Sequence, residues 1–342
     1  MKLFFSTLFI IGALSHQNAF GEEQSFREKI RGRIKEKLIQ REKERPAPTL
    51  DTVSSDKITK PGDYTLSIPH GTTNRFYKMH VPAKYNPQTP NTLLIALHGG
   101  GGAMEYQAND KYYKQISKSD SEGFIAVFPN GFSKFQSGKF ATWNAGKCCG
   151  AARDTEVDDV GFIKDLIAKV SSQLNIDKNK IFATGMSNGG MMSYRLACEM
   201  SDVFKGIASV TGTDNTIKCT PKNPVNILHI HARDDDHVLF NGGAGKGLDK
   251  TKGAVTNFVS VPATIEKWVK FNECNATPKR VLEIRGAYCD LYSQCKNNVE
   301  VKLCVTDIGG HSWPGGEKIR GGADSSKAIS ANDVMWDFFR TK

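Results

Sequence analysis

The pentapeptide Gly-Met-Ser-Asn-Gly at residues 185–189 has the G-x-S-x-G pattern that presents a serine as a nucleophile. An apolar run at residues 181–183 precedes it, and apolar residues at helical spacing follow it. A strand should therefore lead into the turn and a helix should lead out. Glycines suit so sharp a turn, and the start of a helix favours negative charge developing nearby. The pattern predicts Ser187 as the nucleophile of an acyl-transfer reaction.

A nucleophilic serine needs a general base and an acid that orients the base. His311 lies in a Gly-rich loop after a predicted strand at residues 299–305, and no other histidine follows residue 237. Three consecutive acids, Asp234, Asp235 and Asp236, follow another predicted strand, so that the order along the chain is Ser, Asp, His. We expect Asp235 to orient His311, with Asp234 and Asp236 as alternatives.

Glycines 99–102 directly follow an apolar run and are preceded by a histidine. Backbone N–H groups in such a loop can approach a substrate oxyanion, and the N–H of the residue after the nucleophile is the usual second donor. We therefore expect the amides of Gly100, Gly101 and Asn188 to form an oxyanion hole. Neither these glycines nor those at 242–247 show the spacing of a phosphate-binding loop, so no nucleotide site is predicted.

No metal ion or cofactor is expected. The three aspartates with His231 and His237 are ligand types that bind cations, but three consecutive residues cannot all face one ion. His229 and His231 share a strand face, and two histidines without a third ligand are more often packed polar residues. The net charge of +10 favours loose attraction to anionic surfaces or polymers. Basic and aromatic residues are not interleaved as in nucleic-acid grooves, so no nucleic-acid partner is expected.

The order of the elements indicates a single catalytic domain at residues 63–342. Segments 64–68 and 76–81 alternate apolar and polar residues and predict an antiparallel hairpin. The apolar runs that follow are typical of parallel strands covered on both faces, and they alternate with helices, one of which opens at Pro262. The pattern predicts a doubly wound, mostly parallel α/β sheet whose strand ends would bring the serine, the acid and the histidine together.

Residues 1–21 combine an early lysine, a short apolar core and small residues before an expected cleavage after Gly21. These features are typical of a signal peptide and predict a secreted or periplasmic protein. Residues 22–45 are highly charged, with apolar residues every four positions, and a linker extends to residue 62. This stretch predicts a surface helix that serves as a spacer or makes weak contact with a surface or the envelope.

The even number of cysteines, eight, fits disulfide bonds in an exported chain. Cys148 and Cys149 are adjacent, and disulfide geometry normally requires a larger separation of the two Cα atoms than neighbours have. We therefore expect that these two cysteines do not bond to each other.

Five motifs, in order, resemble the polyhydroxybutyrate depolymerase-like esterases, which are relatives of feruloyl and acetylxylan esterases. The motifs are LHGGGG at 97–102, TWNAG at 142–146 with CCG at 148–150, VDDVGF at 157–162, GMSNGGMM at 185–192 and GHSWPGG at 310–316. The resemblance implies an α/β-hydrolase fold, ester hydrolysis without metal, and a triad containing Ser187 and His311. The family's acid ends a His-Gly-x-x-Asp type of stretch. Residues 231–235 read HARDD, with Ala for Gly, which supports Asp235.

Trp143, Asn144 and Trp313 lie beside the predicted active-site loops and are candidate substrate-binding residues. The flat rings could stack on an aromatic acyl group, a sugar or a polyester chain, or they could simply pack the loops. We expect hydrolysis, through an acyl-enzyme, of hydroxybutyrate oligoesters or of feruloyl or acetyl esters of polysaccharide. An acyltransferase on the same scaffold and a non-catalytic surface-binding protein are the alternatives.

Overall fold

The computed structural model of the protein describes residues 29–30, 32–52, 57–245, 257–318 and 324–342. The expected signal peptide lies outside the described residues. Among the described residues, those up to Ala47 together with 135–137 form one compact unit, and the others form another. In the part of the chain that is described, none of the helices has the length and apolar character needed to cross a membrane.

The charged segment near the N-terminus is helical where it is described. Residues 29–30 are helical, and helix α1 is described over residues 32–44. The apolar side chains Ile30, Ile34 and Leu38 are between 41% and 54% exposed. These three side chains are thus not part of a core, as the narrow apolar face of the helix predicts.

The larger unit is built on one ten-stranded sheet with the order β1-β2-β4-β3-β5-β6-β7-β10-β9-β8. The strands are β1 (Gly62–His70), β2 (Thr73–Val81), β3 (Asn91–Leu97), β4 (Ile125–Pro129), β5 (Ile176–Met186), β6 (Gly206–Val210), β7 (Asn226–Ala232), β8 (Lys279–Ile284), β9 (Ala287–Tyr292) and β10 (Val301–Thr306). Strands β4, β3, β5, β6, β7 and β10 run parallel to one another. The edge pairs β1-β2 and β9-β8 are antiparallel, and each joins the parallel region through an antiparallel contact. The predicted mostly parallel sheet with an N-terminal hairpin is confirmed.

Helices cover both faces of this sheet. They are α2 (Met104–Gln107), α3 (Gln115–Glu122), α4 (Gly150–Asp154), α5 (Asp159–Gln173), α6 (Asn188–Glu199), α7 (Val261–Phe271) and α8 (Ala331–Phe339). The start of α5 is capped by the Asp158 carboxylate, which accepts a hydrogen bond from the Gly161 amide at 2.8 Å. Helix α7 begins after Ser260, with Pro262 in its first turn, where proline needs no hydrogen-bond partner for its nitrogen.

Alternate residues of β3 belong to two separate hydrophobic cores. Leu93, Ile95 and Leu97 pack in one core with residues of α5, α6 and α7, whereas Leu94 and Ala96 pack in the other with residues of α8. Successive side chains of a strand point to opposite faces, so both faces of the central strands are buried. The carboxyl ends of these strands and the loops that follow them are left to carry the functional side chains.

All eight cysteines are paired, as Cys148–Cys149, Cys198–Cys219, Cys274–Cys295 and Cys289–Cys304. The first pair contradicts the expectation that the adjacent cysteines bond elsewhere. That expectation assumed the Cα separation of a trans peptide bond, but the bond between these residues is cis and their Cα atoms are 3.1 Å apart.

Thiol titration of the denatured, unreduced protein, purified from an oxidising compartment, should detect no free thiols. After reduction the same titration should detect eight. Two or more thiols before reduction would contradict at least one of the four pairs, and peptide mapping without reductant would identify which.

Candidate active site

The candidate nucleophile occupies the turn between β5 and α6. Ser187 has a φ of 55° and a ψ of −121°, a backbone conformation that residues other than glycine rarely adopt. The turn brings backbone so close that a Cβ on Gly185 would lie 2.4 Å from the carbonyl carbon of Gly189, and a Cβ on Gly189 would lie 2.2 Å from the carbonyl oxygen of Leu97. Glycine is therefore required at both positions. The turn leaves Ser187 half-buried and accessible, at the carboxyl end of a central strand.

The structure brings Asp235 and His311 together. Asp235 follows β7 and His311 follows β10, and these strands are parallel neighbours. His311 Nδ1 donates to Asp235 Oδ2 at 2.8 Å, and Asp235 Oδ1 accepts from the amides of His237 and Val238 at 2.8 and 3.0 Å. His311 thereby carries its proton on Nδ1 and leaves Nε2 free to act as a base. Among the described residues no hydrogen bond joins Ser187 to His311; such bonds are often long before substrate binds.

The carboxyl group of Asp235 is held in its ionised form. Burial alone would raise its pKa, but attraction to His311 and hydrogen bonds from His231 and His311 outweigh the burial and hold the pKa below its usual range. A carboxylate that stays ionised can stabilise the imidazolium that forms when His311 accepts a proton.

Asp234 has a different function from Asp235. Its carboxylate accepts hydrogen bonds from the amides of Gly310 at 2.7 Å and Gly309 at 3.3 Å. These two residues immediately precede His311. Asp234 therefore holds the backbone of the histidine loop, and among the described residues it makes no hydrogen bond to the histidine ring.

Asp236 acts on His311 through a second histidine. Its Oδ1 accepts a hydrogen bond from His237 Nδ1 at 2.7 Å, and the His237 ring stacks on the His311 ring with centroids 4.7 Å apart and planes 14° apart. The three adjacent aspartates thus hold the loop, the ring and the stacked neighbour of His311 respectively.

Two clusters of described residues bring metal-ligand atom types close together. In the first, Asp235, His237 and His311, the two rings are stacked, and the carboxylate already accepts hydrogen bonds from His311 Nδ1 and from the amides of His237 and Val238. The second consists of Cys198, Asp214 and Cys219, and its two sulfurs are bonded to each other. Neither arrangement has the converging free ligands of a metal site.

The predicted oxyanion hole needs one correction. The Gly101 amide donates to the carbonyl of Ala141 at 2.8 Å, so its single hydrogen is not available to a substrate. The Gly100 amide has no acceptor among the described residues, and the Asn188 amide lies in the first turn of α6, where no intrahelical acceptor exists. A Cβ on Gly100 would lie 3.4 Å from the Asn188 Cβ, so the two residues are neighbours. Gly100 and Asn188 are the remaining candidates.

His98 holds the loop of glycines 99–102 in place from the protein interior. It is buried, its Nδ1 donates to the Gly99 carbonyl at 2.8 Å, and its Nε2 accepts from the Gly131 amide at 2.9 Å. Burial lowers the pKa of His98 to about 4, so the ring is neutral at physiological pH and can both donate and accept. No function was predicted for this histidine from the sequence, although its position directly before glycines 99–102 is a signal that could have indicated its role in holding their loop.

Trp143 is fully buried, so its ring has no face for a ligand. Its indole N–H donates to the His98 carbonyl at 3.0 Å. The Asn188 side chain binds the Trp143 backbone twice, by accepting from its N–H at 2.7 Å and by donating to its carbonyl at 3.0 Å. We assign Trp143 to packing rather than to substrate stacking, because its ring is buried and its polar groups are bound by His98 and Asn188.

Asn144 and Trp313 are also used by the loops themselves. The Asn144 side chain donates to the Val157 carbonyl at 3.1 Å, and its backbone N–H donates to the Asp159 carboxylate at 2.8 Å. Trp313 is 3% exposed and meets the Tyr113 ring edge-on at a centroid distance of 5.4 Å. Trp313 therefore has almost no exposed surface for a ligand, whereas Asn144 is half-buried and its role in substrate binding stays a prediction.

A buried ion pair that sequence analysis missed supports the loop of Asn144. Arg75 on β2 donates to the Asp159 carboxylate at 2.7 Å, and both side chains are buried. The same carboxylate receives the Asn144 amide. The two adjacent acids in the motif at 157–162 are a signal that could have indicated it, since one caps α5 and the other is left to take a buried partner.

The chain is similar in sequence to several known proteins. Residues 112–222 match the family model of the prolyl oligopeptidase family. The chain is 30% identical over 237 residues to feruloyl esterase B of Piromyces equi, covering 68% of this chain and 41% of that protein. It is 30% identical over 202 residues to a probable feruloyl esterase C of Aspergillus niger, covering 58% of this chain and 67% of that protein.

A solved structure supports the fold. An acetyl xylan esterase from Aspergillus awamori superposes with a TM-score of 0.55 at 14% identity, over 82% of this chain and 100% of that chain. The chain spans less than half of the Piromyces enzyme and about two thirds of the Aspergillus niger protein. The sequence similarity to the feruloyl esterases, together with the fold, shows that the chain belongs to an esterase family of the α/β-hydrolase superfamily.

Proposed function

We propose that the protein is a secreted serine ester hydrolase that cleaves short-chain or aromatic acyl esters of polysaccharides through an acyl-enzyme. The observation that carries the proposal is the hydrogen bond of 2.8 Å from His311 to the ionised Asp235, at the same sheet edge as the strained Ser187 turn. A protein that only binds its ligand has no need of such a turn, which costs about 1–3 kcal/mol.

In the proposed mechanism, His311 Nε2 removes the proton from Ser187 as the serine oxygen attacks the ester carbonyl. The amides of Gly100 and Asn188 donate to the oxyanion that forms. His311 then gives its proton to the departing alcohol, and the acyl group stays on Ser187. Water, activated by the same histidine, releases the acid and restores the serine.

The substrate class rests on the relatives. The two similar proteins are named feruloyl esterases, and the similar solved structure is named an acetyl xylan esterase. These names favour feruloyl or acetyl esters of polysaccharide over hydroxybutyrate oligoesters. The disulfides and the features of residues 1–21 support secretion, because disulfides persist in oxidising compartments.

The substrate class can be tested with methyl ferulate, acetylated xylan, short 3-hydroxybutyrate oligomers and a series of p-nitrophenyl esters. We expect release of ferulate or acetate, and a kcat/KM on p-nitrophenyl esters that is highest for acetate to butyrate and falls by octanoate. A hydrophobic slot for long acyl chains would instead gain about 0.8 kcal/mol per buried methylene. A rate that continues to rise to palmitate would contradict the proposal.

Three further measurements separate the alternatives. Cleavage of proline-containing peptides without ester hydrolysis would favour a peptidase. Products that appear only when an alcohol acceptor is added would favour an acyltransferase. Polysaccharide binding with no turnover of any ester would favour a surface-binding protein.

A further inference from the structure

A continuous line of buried polar side chains lies behind Asp235. The Tyr194 hydroxyl is 2.9 Å from His229 Nδ1, His229 Nε2 is 3.0 Å from His231 Nδ1, and His231 Nε2 is 3.3 Å from Asp235 Oδ2 and 2.8 Å from the Val238 carbonyl. Tyr194 and both histidines have no exposed surface, and Asp235 is 3% exposed. The mechanism proposed above uses only Asp235 from this line.

The proton positions in the line follow from its last member. The Val238 carbonyl can only accept, so His231 Nε2 must carry a proton and can share it with the nearby Asp235 carboxylate. With this single proton on Nε2, His231 accepts at Nδ1, which requires His229 to donate from Nε2. His229 in turn accepts at Nδ1, so the Tyr194 hydroxyl must donate. Every donor in the line therefore points toward Asp235.

The surroundings of Tyr194 and His229 agree with the protons assigned to these two residues. Burial, followed by the neighbouring His231, lowers the pKa of His229 well below its ordinary value. Burial, followed by the charge of Asp214, raises the pKa of Tyr194 well above its ordinary value. Neither group ionises near neutral pH, so the order of donors is stable there.

The line connects the elements that carry the candidate triad. Tyr194 lies in α6, the helix that begins directly after Ser187. His229 and His231 lie on one face of β7, whose loop carries Asp235. The line therefore links the helix of the nucleophile to the carboxylate that holds the base.

We propose that Tyr194, His229 and His231 are positioning residues, which form a proton-ordered line that holds Asp235 in place and donates a hydrogen bond to it. The proposal rests on the proposed ester hydrolysis at Ser187. Donation from His231 withdraws negative charge from the carboxylate, so Asp235 holds the imidazolium form of His311 less tightly. Loss of this donor should raise the pKa of His311, so that a smaller fraction of it is unprotonated and able to act as a base near neutral pH, and should disturb the geometry of the base.

The test compares two substitutions of His231. His231→Leu removes the donor, and kcat should fall roughly 10- to 100-fold, as expected for a lost hydrogen bond to a charged group, with little change in KM. The acidic limb of the pH profile of kcat/KM should move to higher pH. His231→Gln places an amide N–H near the position of Nε2 and should restore most of the activity and the original limb.

A second pair tests the far end of the line. Tyr194→Phe removes the first donor and should lower kcat several-fold with the same displacement of the acidic limb. Tyr85→Phe is the matched control, because Tyr85 is 8% exposed and its hydroxyl only accepts from the Asn175 amide at 3.4 Å. It should change neither kcat nor the pH profile.

The pH readout is specific because the other titratable groups near the site are unchanged in these variants. Asp234, Asp236 and His237 surround His311, and Asp214 with its partner Lys267 is the charged pair near Tyr194. Circular dichroism and Tm of each variant establish that it is folded.

Equal losses in His231→Leu and His231→Gln, with an unmoved acidic limb in both, would overturn the proposal in favour of simple packing. Tyr194→Phe behaving like Tyr85→Phe would overturn the part assigned to Tyr194 and His229. Failure of the proposed hydrolysis itself would be seen separately, as ester turnover that survives Ser187→Ala.

Discussion

Replacing Ser187 with alanine should lower kcat for ester hydrolysis by about 10⁴- to 10⁶-fold while the protein stays folded. The loss is large because the acyl-enzyme cannot form without the serine oxygen, and the amides of Gly100 and Asn188 alone stabilise only the transition state of direct attack by water. The measurement is steady-state kinetics on p-nitrophenyl acetate, with circular dichroism and Tm to establish that the variant is folded.

Ser193→Ala provides a matched control in the same helix. Ser193 is buried in α6, and its hydroxyl only donates to the Gly189 carbonyl at 3.0 Å. The control should retain most of the activity. A fluorophosphonate reagent should label the unaltered protein and Ser193→Ala with one equivalent, but should not label Ser187→Ala. More than a few per cent of the original activity in Ser187→Ala would refute the assignment of the nucleophile.

Replacing Asp235 with asparagine should lower kcat by about 10⁴-fold. An asparagine side chain can still accept hydrogen bonds from the amides of His237 and Val238, so the loop should keep its shape. The asparagine can also donate to His311 Nδ1, which favours the tautomer whose Nε2 carries the proton and cannot act as a base. The charge that stabilises the imidazolium is lost as well.

The neighbouring aspartates are natural controls for this variant. Asp234→Asn weakens the hydrogen bonds from the amides of Gly309 and Gly310. Asp236→Asn weakens the hydrogen bond from His237, whose ring stacks on His311. Both should cost far less than Asp235→Asn, because His311 retains its carboxylate. A larger loss in either neighbour, under the same assay, would contradict the assignment of Asp235.

Features set by local conformation could be predicted from the sequence. The elbow at Ser187 is one, because its glycines, the preceding strand and the following helix are neighbours in the chain. The hairpin β1-β2 and the mostly parallel sheet are others, since alternation and short apolar runs reflect which faces of a strand are covered. The preference for Asp235 was supported by a resemblance, because side-chain types alone leave three consecutive carboxylates as alternatives.

The structure decided how groups distant in the chain use their hydrogen bonds. Gly100 and Gly101 are glycines of the same loop, yet only the Gly101 amide donates a hydrogen bond to the Ala141 carbonyl. Trp143 lies beside an active-site loop in the chain but is buried under it, because Asn188 and His98 hold it there. These contacts depend on the relative placement of separate strands and loops, which no local pattern encodes.

The cysteines and the buried histidines show the same division. The number of cysteines indicates disulfides, and the apolar run around His229 and His231 indicates a buried strand. The sequence by itself determines that much. The pairing of Cys148 with Cys149 is seen only in the folded chain, and the line from Tyr194 to Asp235 depends on where α6 places Tyr194 relative to His229 on β7. Only the tertiary structure decides these, because a hydrogen bond or a disulfide forms only where two groups meet at bonding distance and angle.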